Sequence, residues 1–163
     1  MTPEPPSGAR CFVDANILVY NFTQNPTFSA PSEAFVRRME NGDVAGFVSP
    51  AVLSETLHRV MLSEVHTRYQ TMKPLAYVQR RPEIIPTLSG YHAAAKALRR
   101  WPLTVLSMDA NDLEKTAQVA SRHRLLTDDA SHVALMQREQ IQYLITNDDD
   151  FDAVPGIIPC KPR

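Results

Sequence analysis

The stretch YLITNDDDF, residues 143–151, decides the fold. Its apolar start, residues 143–145, predicts a short buried strand, and Thr146 and Asn147 lead from that strand into three consecutive aspartates. Carboxylates at this density repel one another, so a cation, a cap or solvent has to offset their charge. A hard metal ion is one explanation, and an Asp-rich turn whose side chains bond their own backbone is the other.

Composition predicts one compact domain. The chain has 163 residues, of which 44% are hydrophobic and 21% charged, which suits a single globular unit with a real core. Its formal net charge of -1 argues against a protein that holds nucleic acid by bulk positive charge. The pairs Arg37-Arg38, Arg80-Arg81 and Arg99-Arg100 either form a local basic patch or solvate helix faces.

The first ten residues contain three prolines and no apolar signal segment. We therefore expect residues 1–10 to form a flexible leader and residues 11–163 to form the domain. The two cysteines, Cys11 and Cys160, each lie in an apolar strand-like run, which is typical of buried thiols in a reducing compartment. A cytoplasmic protein without a membrane segment is the expectation.

Strands alternate with helices along the chain. The patterns predict strands at 11–13, 45–49, 103–107, 143–145 and, at an edge, 156–159. They predict helices at 32–40, from Pro50 behind a Ser49 cap, at 88–100, from an Asp109 cap to 124, and at 129–139, with short helical pieces in 73–86. This order favours a mostly parallel sheet covered by helices on both faces.

Ligands of such folds bind beyond the carboxyl ends of the strands. Asp14 follows the first strand, Asp148 follows the fourth, Glu55 lies early in the helix after the second, and Asp129 opens the helix before the fourth. Four carboxylates from distant segments are thus expected at one rim of the sheet. Each also has an ordinary explanation: Asp14 as a turn cap, Asp128 or Asp129 as a helix cap, and Glu55 as a solvated side chain.

Three segments of this sequence carry a family resemblance. FVDANILVY (12–20), VSPAVLSETLHRV (48–60) and LLTDDASHVALMQREQIQYLITNDDDFDAVPGI (125–157) resemble the PIN-domain ribonucleases, specifically the VapC-type toxins of toxin–antitoxin modules. The resemblance implies a three-layer α/β/α sandwich with a parallel five-stranded sheet in the order 3-2-1-4-5. That order separates Cys11 from Cys160 by two strand spacings, roughly 10 Å, so we expect free thiols.

The resemblance also implies roles for individual residues. Its four acidic positions fall on Asp14, Glu55, Asp129 and Asp148, of which Asp14, Asp129 and Asp148 would hold a metal. Asn16 and Thr146 match site-lining polar positions, and Asp150 matches an accessory acid. Asp149 is expected to be a solvated bystander, Asp128 a helix N-cap, and His132 a structural side chain that could nevertheless approach substrate.

An oxygen-only site predicts Mg²⁺ or Mn²⁺ rather than zinc. The hypothesis is metal-dependent hydrolysis of RNA phosphodiester bonds, with Glu55 assisting a second ion or orienting water. The resemblance further implies a cognate antitoxin and a homodimer.

Two alternatives remain at this point. One is a non-catalytic PIN-like scaffold that binds RNA or protein. The other is a receiver domain phosphorylated on aspartate, which needs an acid after the third strand and a lysine after the fifth, positions matched here by Asp109 and Lys161.

Overall fold

The structure, a computed structural model, describes residues 3–162. Five strands form one sheet in which every neighbouring pair is parallel, and their order is β3-β2-β1-β4-β5, as predicted. The strands are β1 Arg10–Val13, β2 Ala45–Val48, β3 Leu103–Val105, β4 Tyr143–Ile145 and β5 Ile158–Cys160. The helices are α1 Ala15–Tyr20, α2 Ser29–Glu40, α3 Pro50–Tyr69, α4 Pro74–Arg80, α5 Gly90–Leu98, α6 Ala110–His123 and α7 Thr127–Arg138, with a 3-10 helix at Pro82–Thr87.

Strand β1 lies at the centre of the sheet. Its last three residues are completely buried, as expected for a strand covered by helices on both faces. In its register with β4, Val13 faces Ile145, so the residues that follow the two strands, Asp14 and Thr146, leave the sheet side by side. The strand order therefore builds the predicted rim.

Helix α1 was not predicted. It begins directly after Asp14, and four of its six residues, Ala15, Ile17, Leu18 and Val19, are buried. In the sequence this apolar run continues the β1 pattern, because a short buried helix and a buried strand have the same composition. Asp14 occupies the N-cap position but makes no side-chain cap hydrogen bond, which leaves its carboxylate available to other groups.

Helix α7 is almost entirely internal. Seven consecutive residues, 130–136, are buried, so no face of the helix is exposed to solvent along that length. The prediction that Asp128 caps it is wrong: the N-cap residue is Leu126, without a side-chain hydrogen bond, and Asp128 lies in the first turn. An anion is stabilised at either place, because the unpaired N–H groups of the first turn carry partial positive charge.

Two other predicted caps are confirmed. Ser49 Oγ accepts a hydrogen bond from Val52 N at 3.2 Å, ahead of Pro50 in the first turn of α3. Asp109 and Asp112 form a reciprocal capping box at the start of α6. Asp109 is thus engaged by its own helix, and Lys161 pairs with Asp149 and Asp152, so neither is arranged as in a receiver domain.

Residues 61–100, here called the arm, have a small core of their own. They comprise the second half of α3, α4, the 3-10 helix and α5, consistent with the short helical pieces predicted at 73–86. Val65, Val78 and Leu88 form the buried centre of the arm, and partly buried aromatic and aliphatic side chains pack around them.

Residues 3–9, which belong to the expected leader, lie against the domain. Pro5 and Ala9 are buried, Arg38 Nη2 donates to Pro5 O at 2.9 Å, and Gly8 N donates to Asp43 O at 2.7 Å. Residues 1–2 lie outside the described range. Prolines made the segment look disordered, whereas here they hold an extended chain against the domain.

Both cysteines are buried free thiols, as predicted. Burial raises the pKa of the Cys11 thiol to about 12 and that of the Cys160 thiol to about 11. None of the helices formed by residues 3–162 has the length and apolar content needed to cross a membrane.

Candidate active site

Asp14 is the predicted site residue whose carboxylate accepts two side-chain hydrogen bonds. It is 9% exposed, and its backbone N–H donates to Ile145 O at 3.0 Å across the β1–β4 pair. Its Oδ2 accepts hydrogen bonds from Asn16 Nδ2 and Thr146 Oγ1, each at 2.6 Å. The orientation of this buried side chain is thus fixed by two donors, Asn16 and Thr146, that were expected to line the site.

Thr146 is the hub of this network. Its hydroxyl is fully buried, donates to Asp14, and accepts from Asn16 Nδ2 at 3.1 Å and from Asp148 N at 3.0 Å. A second link runs from Asn147 N to Asn16 Oδ1 at 3.4 Å. These bonds fasten the end of β4 to the start of α1, across about 130 residues of chain.

The three consecutive aspartates have different surroundings. Asp148 Oδ1 accepts from Asp150 N at 2.9 Å in an Asx-type turn, and the Asp148 side chain stays half-buried at the rim. Asp149 turns outward, where its side chain is 82% exposed and pairs with Lys161. Asp150 remains exposed beside Asp148.

Asp129 completes the acidic group from the other side. It lies in the first turn of α7, and its pKa is raised to about 6, first by burial and then by the negative charges of Asp148, Asp14 and Asp150. The cost of ionising Asp129 is therefore partly repulsion from the same carboxylates that the sequence grouped with it. A cation at this rim would remove that cost.

Glu55 is the outlying member. It lies on α3, is exposed, and pairs with Arg59 one turn later at 3.4 Å. No hydrogen bond joins Glu55 to Asp14, Asp129 or Asp148 within residues 3–162, although its charge acts on the buried His132. It therefore borders the site without belonging to its hydrogen-bond network.

His132 lies beneath the rim, one turn after Asp129. It is 2% exposed, its ring packs on Phe12 with centroids 5.2 Å apart, and burial lowers its pKa despite the carboxylates of Asp14, Glu55 and Asp128. Its Nδ1 has no hydrogen-bond partner among the described residues. A buried neutral ring is the structural role that was predicted for it.

Arg59 was missed by the sequence reasoning. Together with Asn16, Tyr20 and residues 147–150 it lines an open depression over the rim, which places one cation beside a group of carboxylates. The available signal was its spacing of four residues after Glu55, which puts both on one face of a helix.

The donor chemistry fits a hard cation, although the carboxylates are not closed into a cage. Within residues 3–162, no three His, Cys, Asp or Glu side chains are near enough to one another to hold a metal ion as they stand. Burial and then the neighbouring negative charges raise the pKa of Asp129, and oxygen-only donors suit Mg²⁺ or Mn²⁺.

Comparison with known proteins identifies the family. The model of the PIN domain family matches residues 11–157, most of the chain. The chain belongs to the PIN domain family. This PIN domain is 22% identical over 145 residues to the ribonuclease VapC2 of Methanocaldococcus jannaschii, and the match covers 89% of each protein.

Solved structures share the fold at low sequence identity. VapC20 of Mycobacterium tuberculosis, described as a sarcin-ricin loop cleaving toxin, matches with a TM-score of 0.62 and 19% identity over 89% of this PIN domain chain and 95% of its own. A toxin–antitoxin complex from Klebsiella pneumoniae matches with a TM-score of 0.59 and 16% identity, over 91% and 95%. The fold predicted from the sequence is therefore confirmed.

Proposed function

We propose that this PIN domain is a Mg²⁺- or Mn²⁺-dependent ribonuclease that hydrolyses RNA phosphodiester bonds at the rim formed by Asp14, Glu55, Asp129 and Asp148. One observation carries the proposal: Asp14 is buried and accepts two side-chain hydrogen bonds, and the pKa of Asp129 is raised by burial and then by the charges of Asp148 and Asp14. A protein has little reason to gather such charges except to bind a cation. The relative named ribonuclease VapC2 supports the same chemistry.

Asp14, Asp129 and Asp148 would hold the ion, and a bound divalent cation supplies Lewis acidity toward the phosphate and lowers the pKa of water. The remaining residues have supporting tasks. Thr146 and Asn16 fix the orientation of the Asp14 carboxylate. Glu55, at the open side, would orient water or assist a second ion, and Asp150 would add charge beside Asp148.

Metal binding and cleavage test the proposal together. Titration with Mn²⁺ followed by calorimetry should show saturable binding to the unaltered protein, and Mg²⁺ should support cleavage of a single-stranded RNA. Asp14→Asn should lose both, with cleavage falling by at least about 10² because the site loses a charged ligand. Asp152→Asn, an exposed acid outside the site, is the matched control and should retain both.

Full cleavage by Asp14→Asn would contradict the assignment. Absence of cleavage by the unaltered protein, with RNA binding retained, would instead favour the non-catalytic scaffold. One observation favours the scaffold: within residues 3–162 the carboxylates are not already close enough together to hold a metal ion.

A toxin role with a protein partner belongs to the same proposal. Solved structures with the same fold include a toxin–antitoxin complex from Klebsiella pneumoniae and VapBC2 from Rickettsia felis bound to a DNA fragment from their promoter. We propose a cognate antitoxin that covers the acidic rim, and a homodimer. Co-expression with a candidate antitoxin should relieve growth arrest caused by this protein, and cells that express Asp14→Asn should grow without the antitoxin.

A further inference from the structure

Charge is segregated along this chain. The arm, residues 61–100, carries seven of the 17 Lys and Arg residues but only two of the 18 Asp and Glu residues, which gives it a formal charge of +5. The rest of the chain therefore carries -6, and the total of -1 conceals the division. The acidic part repels a polyanion, so a nuclease built this way needs a separate basic surface to hold RNA.

The cations of the arm are also free of carboxylates. Within the described chain, none of the seven lies within ion-pair distance of an Asp or Glu, whereas six of the cations outside the arm are paired. Glu64, one of the two acidic residues of the arm, accepts hydrogen bonds from the backbone N–H groups of Ser89 and Gly90 at the start of α5. The positive charge of the arm is thus available to a partner.

Two of the arginines of the arm lie over tyrosine rings. The Arg68 guanidinium lies 5.5 Å from the centroid of the Tyr69 ring, Tyr69 stacks on Tyr77 with centroids 5.0 Å apart, and the Arg81 guanidinium lies 5.0 Å from the Tyr77 centroid. The two arginines are exposed and the two tyrosines partly so. Proteins bind single-stranded RNA by stacking its bases on aromatic rings and guanidinium planes, and by placing positive charges near its phosphates.

A groove connects the arm with the carboxylate rim. It runs between the segment 19–26 and α3, is lined by Arg59, Leu62, Ser63, His66 and Thr67, and reaches Pro74 at the start of α4. No acidic side chain lines it, and Arg59 also lines the depression over the rim. From Arg59 to Thr67 the groove follows α3 for about 12 Å.

We propose that the arm is the RNA-docking surface of this protein, and that single-stranded RNA held there reaches the carboxylate rim along the groove past Arg59. This inference rests on the proposed ribonuclease function for its substrate. Arg80 and Arg81, with the other exposed cations of the arm, contact phosphates, and the Arg68–Tyr69–Tyr77–Arg81 stack contacts bases.

Binding is measured without cleavage, by fluorescence anisotropy of an end-labelled single-stranded RNA of about 16 nucleotides in EDTA. The test variant is Arg80→Glu with Arg81→Glu. The matched control is Arg37→Glu with Arg122→Glu, which changes the net charge equally at two exposed positions outside the arm. Thermal unfolding of both double variants verifies that the fold is intact.

The arm variant should bind at least about tenfold more weakly, and its slope of log K against log salt should fall by about 1.4, because each lost phosphate contact contributes about 0.7. The control should stay within about twofold. Cleavage of a ribodinucleotide in Mg²⁺, which is too short to span the groove, should be unchanged by the arm variant. That reaction reports on the rim alone, so failure of the ribonuclease proposal would appear there and not in the binding data.

Equal RNA affinity of the arm variant and the unaltered protein would overturn the inference. Equal weakening by both double variants would also overturn it, since bulk charge would then suffice. Unchanged RNA affinity combined with lost self-association in sedimentation would assign the arm to a protein contact instead.

Discussion

Asp14 shows how a residue near the start of the chain depends on residues near its end. Its carboxylate is fixed by Asn16 on α1 and by Thr146 after β4, and the second bond exists only because β1 and β4 are neighbours. Thr146→Val should lower the free energy of unfolding by about 1–2 kcal/mol, because Asp14 and Asn16 lose a buried partner. Thr146→Ser retains the hydroxyl and should lose much less in urea denaturation.

The three consecutive aspartates should behave differently when each is neutralised. Asp148→Asn removes a proposed ligand and should abolish Mg²⁺-dependent cleavage, whereas Asp149→Asn removes only a surface ion pair with Lys161. Single-turnover cleavage by the two variants is the measurement. Comparable loss in both would mean that the whole run, rather than Asp148, binds the ion.

Asp129 is expected to destabilise the protein at neutral pH. Its pKa is raised from 3.8 to about 6 in the folded state, so folding is opposed once the carboxyl ionises, and stability falls as the pH rises from about 4 to about 6. Asp129→Asn should therefore stabilise the protein at pH 7 by about 1 kcal/mol, allowing for solvent screening, and not at all near pH 3.5.

Urea denaturation at the two pH values measures the Asp129 effect, and Mn²⁺ provides its control. If Asp129 is a ligand, added Mn²⁺ should stabilise the unaltered protein at pH 7 more than the variant. An equal response to Mn²⁺ would remove Asp129 from the ligand set.

At the scale of elements, an ion pair links helix α6 to helix α7. Arg138 pairs with Asp112, which is 4% exposed, and donates through Nη2 to Ser107 O at 2.9 Å. Asp112 also completes the capping box at the start of α6. This single contact therefore supports the end of one helix and the beginning of the other.

Arg138→Ala should lower the free energy of unfolding by about 2 kcal/mol, because it leaves the buried Asp112 carboxylate without its cation. Arg122→Ala, on the exposed face of α6, should change it by less than about 0.5 kcal/mol. Thermal or urea unfolding separates the two. A small effect of Arg138→Ala would mean that the capping box alone satisfies Asp112.

The elements also show how far sequence reasoning reached. Strand positions and the caps at Ser49 and Asp109 were predictable from periodicity and capping chemistry, and the pairing of β1 with β4 from the strand order that the family resemblance implies. Helix α1 was not, because a run of six residues is too short to show a helical period. Arg59 and the stack on the arm were missed because they depend on how α3 and α4 face their neighbours.

At the scale of the whole molecule, the protein has two hydrophobic cores of unequal size. We therefore expect the free energy of local unfolding to differ between them. The arm is held by the cluster of Val65, Val78 and Leu88, whereas the sheet and α7 share a continuous buried core. In native-state hydrogen exchange, amides of α4 and the 3-10 helix should exchange through openings of lower free energy than amides of β1 and β4. Equal protection would mean that the arm unfolds only together with the sheet.

The hydrogen bond from Thr146 to Asp14 has a consequence for the newborn chain. A ribosome synthesises Asp14 and Asp129 before β4 and the residues Thr146 and Asp148 that follow it, so a polypeptide that stops before β4 lacks the hydrogen bond that orients Asp14. Destructive activity of the kind proposed here would then begin only after β4 and residues 146–148 have been made. A chain terminated prematurely before β4 would be harmless to the cell that made it.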